Sequence, residues 1–489
     1  MPERPRARAN ADLSCGAWFI CLRRPLLVVL AGLAVSCGRT GTPLTPIRSS
    51  RATGPLKVMA VNPRYFTDGS GRAILLTGSH TWDNFQDLWA RDVSPQIMDY
   101  SRYLRFLVAN NHDFFRLWTW EQDGWATWHH GPYRLQPAPY LRTGPDTALD
   151  GGPRYDLTKF NGAYFARLRD RVQAAARQGI YVSVMLFNGF SIEDKNAGGD
   201  NPWRGHPFNA ANNVNGVDGD PHHHREGKET QALQLPVITR LQEAYIRRVV
   251  DAVNDLDNVL YEICNESHAY SGAWQEYMAA YVKRYEATKP KQHPVGITAF
   301  YGGRNADLFA SDADWVSPNE EGGYLTDPPP ADGRKVVLTD TDHECGTCVP
   351  VEWVWKSFLR GLNPIFMDPY DRRDAGINPR DPRWGQERRD MGYALTYANR
   401  MPLASMTPQG ALASSGYCLA HTGPHDPAYL VYLPAGGTVS LDLSGTAGGL
   451  AVEWFSPTRN RVVAGDSIMG GGPLALRSPF AGEVLLYVH

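Results

Sequence analysis

The chain has 489 residues, too many for one ordinary domain and enough for a barrel with a smaller module. Its apolar fraction of 43% allows a sizeable core, and a formal net charge of -2 leaves no electrostatic case for nucleic acid or an anionic membrane as partner. The 14 Trp and 23 Tyr supply many flat amphipathic rings, which stack on sugar faces as readily as they fill cores.

The N-terminus reads as an export leader over residues 1–37. Arg23 and Arg24 precede an apolar run, Pro25 to Val35, that ends in small residues and Cys37. The run is too short to span a bilayer. Ala34-Val35-Ser36-Cys37 has the form of a lipobox with its Leu one place early, at Leu33. A lipid on Cys37 is then the expected membrane contact, and plain secretion is the alternative. Residues 38–56, rich in Thr, Pro, Arg and Ser, read as a tether.

From Arg72 short apolar runs alternate with amphipathic stretches, the pattern of a parallel α/β fold. Eight strands are expected: Ala73–Gly78, Phe114–Trp118, Tyr181–Phe187, Val259–Cys264, Pro294–Thr298, Trp315–Ser317, Val336–Thr339 and Pro364–Met367. Helices are expected between them. Pro95 to Ala109 carries Ile97, Tyr100, Leu104 and Leu107 at 3–4 spacing, and Phe160 to Gln178 is followed by Gly179 as a helix stop. Leu241 to Leu256, Trp274 to Thr288, Val351 to Leu359 and Arg388 to Asn399 complete the set. Eight strands with intervening helices predict a (β/α)8 TIM barrel over residues 57–403. After about residue 405 helical periodicity fades into short β runs with glycine-rich turns, so residues 404–489 read as a small antiparallel β-sandwich.

Barrel chemistry collects at the C-terminal tips of the strands. Polar and aromatic residues follow the runs: His80-Thr81-Trp82-Asp83, Trp118-Thr119-Trp120-Glu121, Asn188, Asn265-Glu266, Asp340-Thr341-Asp342-His343 and Asp368. The segment 188–233 is long and rich in Gly, Asn and His, and is expected to wall a cleft. Its run His222-His223-His224 is not expected to hold a metal, because three consecutive His cannot all face one ion and no carboxylate pair sits at ligand spacing in the sequence. No cofactor is expected either. Cys264 and Cys418 read as buried apolar residues. Cys345 and Cys348 suit a local disulfide in an exported protein.

A buried strand ending in Asn265-Glu266, opposite a second strand ending in two aspartates, suits two-carboxylate cleavage of a glycosidic bond. Glu266 is the expected general acid/base and Asp340 the preferred partner, since it comes directly off the apolar run; Asp342 is the close second. Glu262, deeper on the same strand, reads as a buried, hydrogen-bonded support. His80, Trp82, Asp83, Arg116, Trp118, Trp120, Glu121, Asn188, Asn265, His343 and Asp368 are the expected substrate-binding residues.

Asn265-Glu266 at the fourth strand tip, a carboxylate at the seventh and Phe115-Arg116-Leu117-Trp118 on the second resemble the clan A glycoside hydrolases. TGSHTWDNFQD at the first strand and Val452-Glu453-Trp454-Phe455-Ser456-Pro457 in the small β domain are similar to the apiosidase-like, family 140-like catalytic domain with its C-terminal domain of the type described as collagen-binding. The resemblance runs from about residue 57 to the end. It implies a retaining glycosidase with Glu266 as acid/base and Arg116 orienting the nucleophile, and with the leader the expectation is an exported enzyme acting on a poly- or oligosaccharide. The chain departs from the pattern at the seventh strand, where clan A places a glutamate and this sequence has Asp340 and Asp342. Aspartate is shorter by one methylene, so that departure keeps open an inverting course through a water in a larger gap, as well as a non-catalytic carbohydrate-binding barrel; the alternative of a polysaccharide lyase needs a Tyr or His base.

Overall fold

The computed structural model describes residues 41–90, 97–348, 352–370 and 380–489. The leader and Cys37 lie outside those residues. Eight parallel strands form one sheet: β1 (Gly78–His80), β2 (Phe114–Leu117), β3 (Tyr181–Asn188), β4 (Val259–Asn265), β5 (Val295–Thr298), β6 (Trp315–Ser317), β7 (Val336–Asp340) and β8 (Asn363–Met367). From β2 to β8 each pairs with its sequence neighbour, and β8 returns to β1 with Ile365 opposite Gly78. This is the TIM barrel expected from the alternating pattern.

The barrel closes between β1 and β2 without a regular ladder. Instead Asp113 N–H donates to the Thr77 carbonyl at 3.0 Å, and the Asp113 carboxylate accepts the Thr77 N–H at 3.0 Å. The backbones approach closely here because Gly78 has no side chain: a Cβ on it would lie 2.3 Å from the Phe114 oxygen. The first strand therefore starts later than the run Ala73–Gly78 suggests. Leu75 and Leu76 are buried below the ladder rather than paired in it.

The helices are α1 (Tyr100–Ala109), α2 (Gly162–Arg177), α3 (Pro236–Val253), α4 (Gly272–Glu286), α5 (Asn305–Phe309), α6 (Thr341–Glu344), α7 (Trp353–Leu359) and α8 (Pro382–Arg400). Asp99 caps α1 by accepting the Arg102 N–H, so the helix begins after Ile97, which is 71% exposed rather than on the buried stripe. The start expected at Pro95 falls outside the described residues. Gly179 follows α2 at φ 72°, the left-handed stop that the sequence suggests. Between β2 and α2 the chain forms two hairpins that its sequence reading leaves out. The strand His129–Gln136 pairs with Asp87–Ala90 and Gly124–Ala126, and Tyr140–Thr147 pairs with Pro153–Phe160.

The C-terminal module is a β-sandwich. Its larger sheet orders β9 (Thr407–Pro408), β10 (Cys418–His421), β11 (Ala428–Leu433), β18 (Val484–Val488), β14 (Val452–Ser456) and β15 (Arg461–Ala464). Against it lie two antiparallel pairs, β12 (Gly436–Asp442) with β17 (Pro473–Ala481), and β13 (Gly449–Leu450) with β16 (Ile468–Met469). The runs AYLVYL and VLLYV are apolar throughout because both faces of the central strands are covered. Tyr429, Val431, Val484 and Leu486 pack under the second layer. Leu430, Tyr432, Leu485 and Tyr487 pack on the other face against Trp355 of α7 and Tyr397 of α8.

Residues 41–56, expected to form a tether, instead carry tertiary contacts. Thr42 pairs with Val462 on the edge of the sandwich, and Ser49 donates to the Asp113 carboxylate at 2.7 Å. Cys345 and Cys348 are joined in a disulfide, and Cys264 and Cys418 are buried and free, as expected. Among the described residues no helix is long and apolar enough to cross a membrane.

Candidate active site

The strand tips converge on one guanidinium. Arg116 of β2 is 1% exposed. It grips Glu262 with two bonds, Nε to Oε2 at 2.9 Å and a terminal nitrogen to Oε1 at 2.6 Å. The same group reaches Asp340 at 3.0 Å, Asp342 at 2.7 Å and the Asn265 amide oxygen at 2.6 Å. A planar fork with five N–H donors suits such a set where a lysine would not. Glu262 is thus the buried support that its place on β4 suggests.

Asp340 is sealed into this network and has 0% exposure. Its Oδ1 accepts from the His80 ring at 2.9 Å and from the Asp342 N–H at 3.0 Å, while its Oδ2 accepts from Arg116. The Trp118 indole donates to His80 Nδ1 at 2.8 Å. An indole only donates, so Nδ1 accepts and the His80 proton sits on Nε2, facing Asp340. Burial works to raise the Asp340 proton affinity, but the His80 and Arg116 contacts outweigh it and hold the carboxyl well below its ordinary range.

Two other carboxyl groups face open space. Glu266 and Asp342 line a cavity of about 230 Å³ together with Trp82, Trp118, Trp120, Thr127, Trp128, Phe190 and Ala197. The four indoles form one wall: Trp118 stacks on Trp120 at 5.5 Å, and Trp128 lies 4.7 Å from Trp120 and 5.7 Å from Trp82. Burial, then the neighbouring Asp342 charge, push the Glu266 carboxyl up to about 8, against the pull of Lys195 and Arg116. Burial also raises Asp342, to about 6, with Arg116 opposing and Asp340 adding to the rise. At neutral pH the cavity therefore holds one proton-bearing carboxyl beside one ionised one, an asymmetry suited to acid–base work.

Glu266 sits just past β4 in the left-handed region, at φ 44°. Its carbonyl is held by Lys195 Nζ at 2.7 Å. The backbone can turn there because Gly189 lies alongside; a Cβ on Gly189 would come within 2.5 Å of the Glu266 oxygen. Lys195 is itself 7% exposed, paired with Glu193 at 3.3 Å and set over the Tyr301 ring at 4.2 Å. His343 is buried between the Ser317 hydroxyl at 2.7 Å and Asn265 at 3.2 Å. Burial, then the Arg116 charge, drive its ring well below the ordinary histidine value, so it is neutral.

All the expected site residues but Asp83 fall into three groups. Glu266, Asp342, Trp82, Trp118 and Trp120 share the cavity. His80, Arg116, Asn265, Asp340 and His343 form the network beneath it. Glu121, Asn188 and Asp368 lie outside the lining of this cavity, each bonded into the protein. Glu121 accepts the Asn188 N–H at 3.0 Å, Asn188 also donates to the Thr119 carbonyl at 3.1 Å, and Asp368 is forked by Arg388, with Nε at 2.7 Å. Asp83 takes a bond from the Thr81 hydroxyl at 3.2 Å and does not line the cavity. Phe190 and Ala197 come from the segment 188–233, which is expected to wall the cleft, while Thr127 and Trp128, which arrive on the first hairpin, and Lys195 are not singled out by the sequence. The alternating burial of Tyr133 and Leu135 is the signal that marks the hairpin. The expectation that no carboxylates stand near the triple histidine is also corrected, since Asp220 and Glu229 approach His224 in space.

The chain is thus a TIM barrel followed by a β-sandwich, and two unequal carboxyls share a Trp-lined cavity. A family model described as a domain of unknown function, DUF6298, matches residues 104–306. No curated protein matches the chain. Among solved structures, the chain is similar to a glycoside hydrolase family 5 protein from Bacteroides vulgatus, with a TM-score of 0.57 and 12% identity over 91% of this chain and 95% of that one. It is also similar to a second structure described as a glycoside hydrolase, with a TM-score of 0.55 and 12% identity over 90% of this chain and 98% of that one. These likenesses establish the fold.

Proposed function

We propose that the protein is an exported glycoside hydrolase of the clan A type that cleaves O-glycosidic bonds in a poly- or oligosaccharide. One observation carries this reading: Glu266 and Asp342, with proton affinities held apart, face the same indole-walled cavity. In this reading the protonated Glu266 donates to the glycosidic oxygen as that bond breaks. Asp342 attacks the anomeric carbon and forms a glycosyl ester. Water then cleaves the ester, with Glu266 taking its proton. The indoles supply stacking faces for sugar rings.

Asp342, rather than Asp340, takes the nucleophile's role in this reading, because Asp340 has no exposed oxygen and spends its bonds on His80, Arg116 and the Asp342 backbone. The retaining course and the closer kinship with apiosidase-like enzymes are supported by the sequence motifs, and the names of the two structural neighbours agree with the broader class. The leader ending at Cys37 supports export with a lipid anchor.

The test is a panel of plant and microbial glycans digested by the wild type and by Glu266→Gln. Turnover should fall by about 10²–10⁴-fold in the variant while the fold is kept, and proton NMR of the first-formed anomer reads the stereochemistry. Full activity in Glu266→Gln would remove the assignment. Binding without turnover, indifferent to that substitution, would point to a carbohydrate-binding barrel.

A further inference from the structure

The histidine run 222–224 plays no part in the cavity chemistry. It lies on a tight turn organised by Asp220, whose carboxylate accepts the N–H groups of His224 at 2.8 Å and Arg225 at 2.7 Å. His223 is in the left-handed region, at φ 57°. His222 and His224 come side by side, their rings stacked at 5.7 Å with planes 18° apart. Both present Nδ1 to one oxygen, Glu229 Oε1, at 3.0 Å from His222 and 3.6 Å from His224. Ligand atoms of Asp220, His224 and Glu229 all lie within 4.8 Å of one another.

A second observation concerns Glu229 itself. It is only 8% exposed, and its Oε2 is buried with no hydrogen-bond partner among the described residues. A buried carboxylate oxygen left unpaired is costly, and a cation held at the same carboxylate is one way to offset that cost.

We propose that Asp220, His222, His224 and Glu229, spaced D-x-H-x-H-x4-E, bind one divalent d-block cation of the zinc type. Bonds of about 2.0–2.1 Å in a tetrahedron set neighbouring ligand atoms roughly 3.3 Å apart. The two His222 and His224 separations from Glu229 bracket that spacing. A mixed imidazole and carboxylate set favours zinc or its late first-row neighbours over magnesium or calcium, which prefer oxygen alone. The ion would clamp the Asp220 turn to the short helical turn Lys228–Gln231. That turn in turn bonds to the start of the segment 188–233, which also carries Phe190 and Ala197 of the cavity, through Lys228 with Glu193 at 3.2 Å and Gln231 with the Asn188 carbonyl at 3.4 Å. The site is independent of the glycosidase reading.

The experiment uses the untagged chain, stripped with a chelator and titrated with Zn²⁺ by calorimetry. One equivalent should bind saturably, and Co²⁺ in its place should give the intense visible absorption of a four-coordinate site. His224→Ala and Glu229→Gln should each weaken binding by about tenfold or more, while His223→Ala should leave it unchanged. No saturable binding, or binding that His224→Ala leaves intact, would overturn the proposal. His224 is exposed, so that variant remains decisive even if Glu229→Gln fails to fold.

Discussion

Arg116→Met is expected to cost roughly 3–5 kcal/mol of stability and to abolish turnover. The guanidinium is the cation that bridges Glu262, Asp340 and Asp342 in a water-poor layer of the barrel. Methionine fills much the same volume, so the loss comes from charge and bonds rather than from a cavity. Three carboxylates would face one another without their shared donor, and each would have to take up a proton or draw in water. Arg116→Lys keeps the charge but loses the fork on Glu262, and should fall between wild type and Arg116→Met. Thermal unfolding of the three proteins side by side checks the order. Equal midpoints would show that the carboxylates are held by something else.

The second large effect is on pH. Both cavity carboxyls are shifted upward, so the direction is the same for each but the required forms are opposite. Asp342 must be ionised to attack, and activity should rise as pH climbs through about 6. Glu266 must keep its proton to serve as acid, and activity should be lost as pH passes about 8. Initial rates on the best substrate should therefore trace a bell between those values, far above the range of ordinary carboxyl groups. Lys195 pulls the Glu266 value down, so Lys195→Met should carry the alkaline limb higher while leaving the acid limb in place. A profile that stays level from mildly acid to strongly alkaline pH would contradict the assignment of these two groups.

Much of the barrel is legible in the sequence because its strands are short apolar runs buried on both sides, and such runs stand out against amphipathic helices. Val259–Asn265 and Val336–Asp340 each emerge within a residue of where the run places them. The first strand is not legible in the same way. Its apolar residues lie below the ladder, and its paired residues Gly78–His80 look like a polar tip. The site divides similarly. Strand-borne groups such as Arg116, Glu262 and Glu266 could be placed by period-two counting from a buried run. Asp340 and Asp342 share a face by that count, yet the chain enters α6 directly after Asp340, and the turn of the helix parts them, one into the network and one into the cavity. Thr127, Trp128 and Lys195 arrive on long connections whose course is set by contacts between distant residues; the alternation at Tyr133 and Leu135 marks the hairpin, but no local periodicity places these side chains at the cavity.

The sandwich bears on how this protein can be cut and recombined. Trp355, Tyr393 and Tyr397 of the barrel helices share one apolar cluster with Leu430, Phe455, Leu485 and Tyr487, and Arg400 is forked to Glu453 across the same boundary. Neither partner owns that surface. Severing the chain near residue 404 would leave each fragment with half of an unfinished interior exposed to water. The two modules are better regarded as a single unit of inheritance, in which the sandwich serves as the outer wall of the barrel and a foreign domain could not take its place without rebuilding α7 and α8.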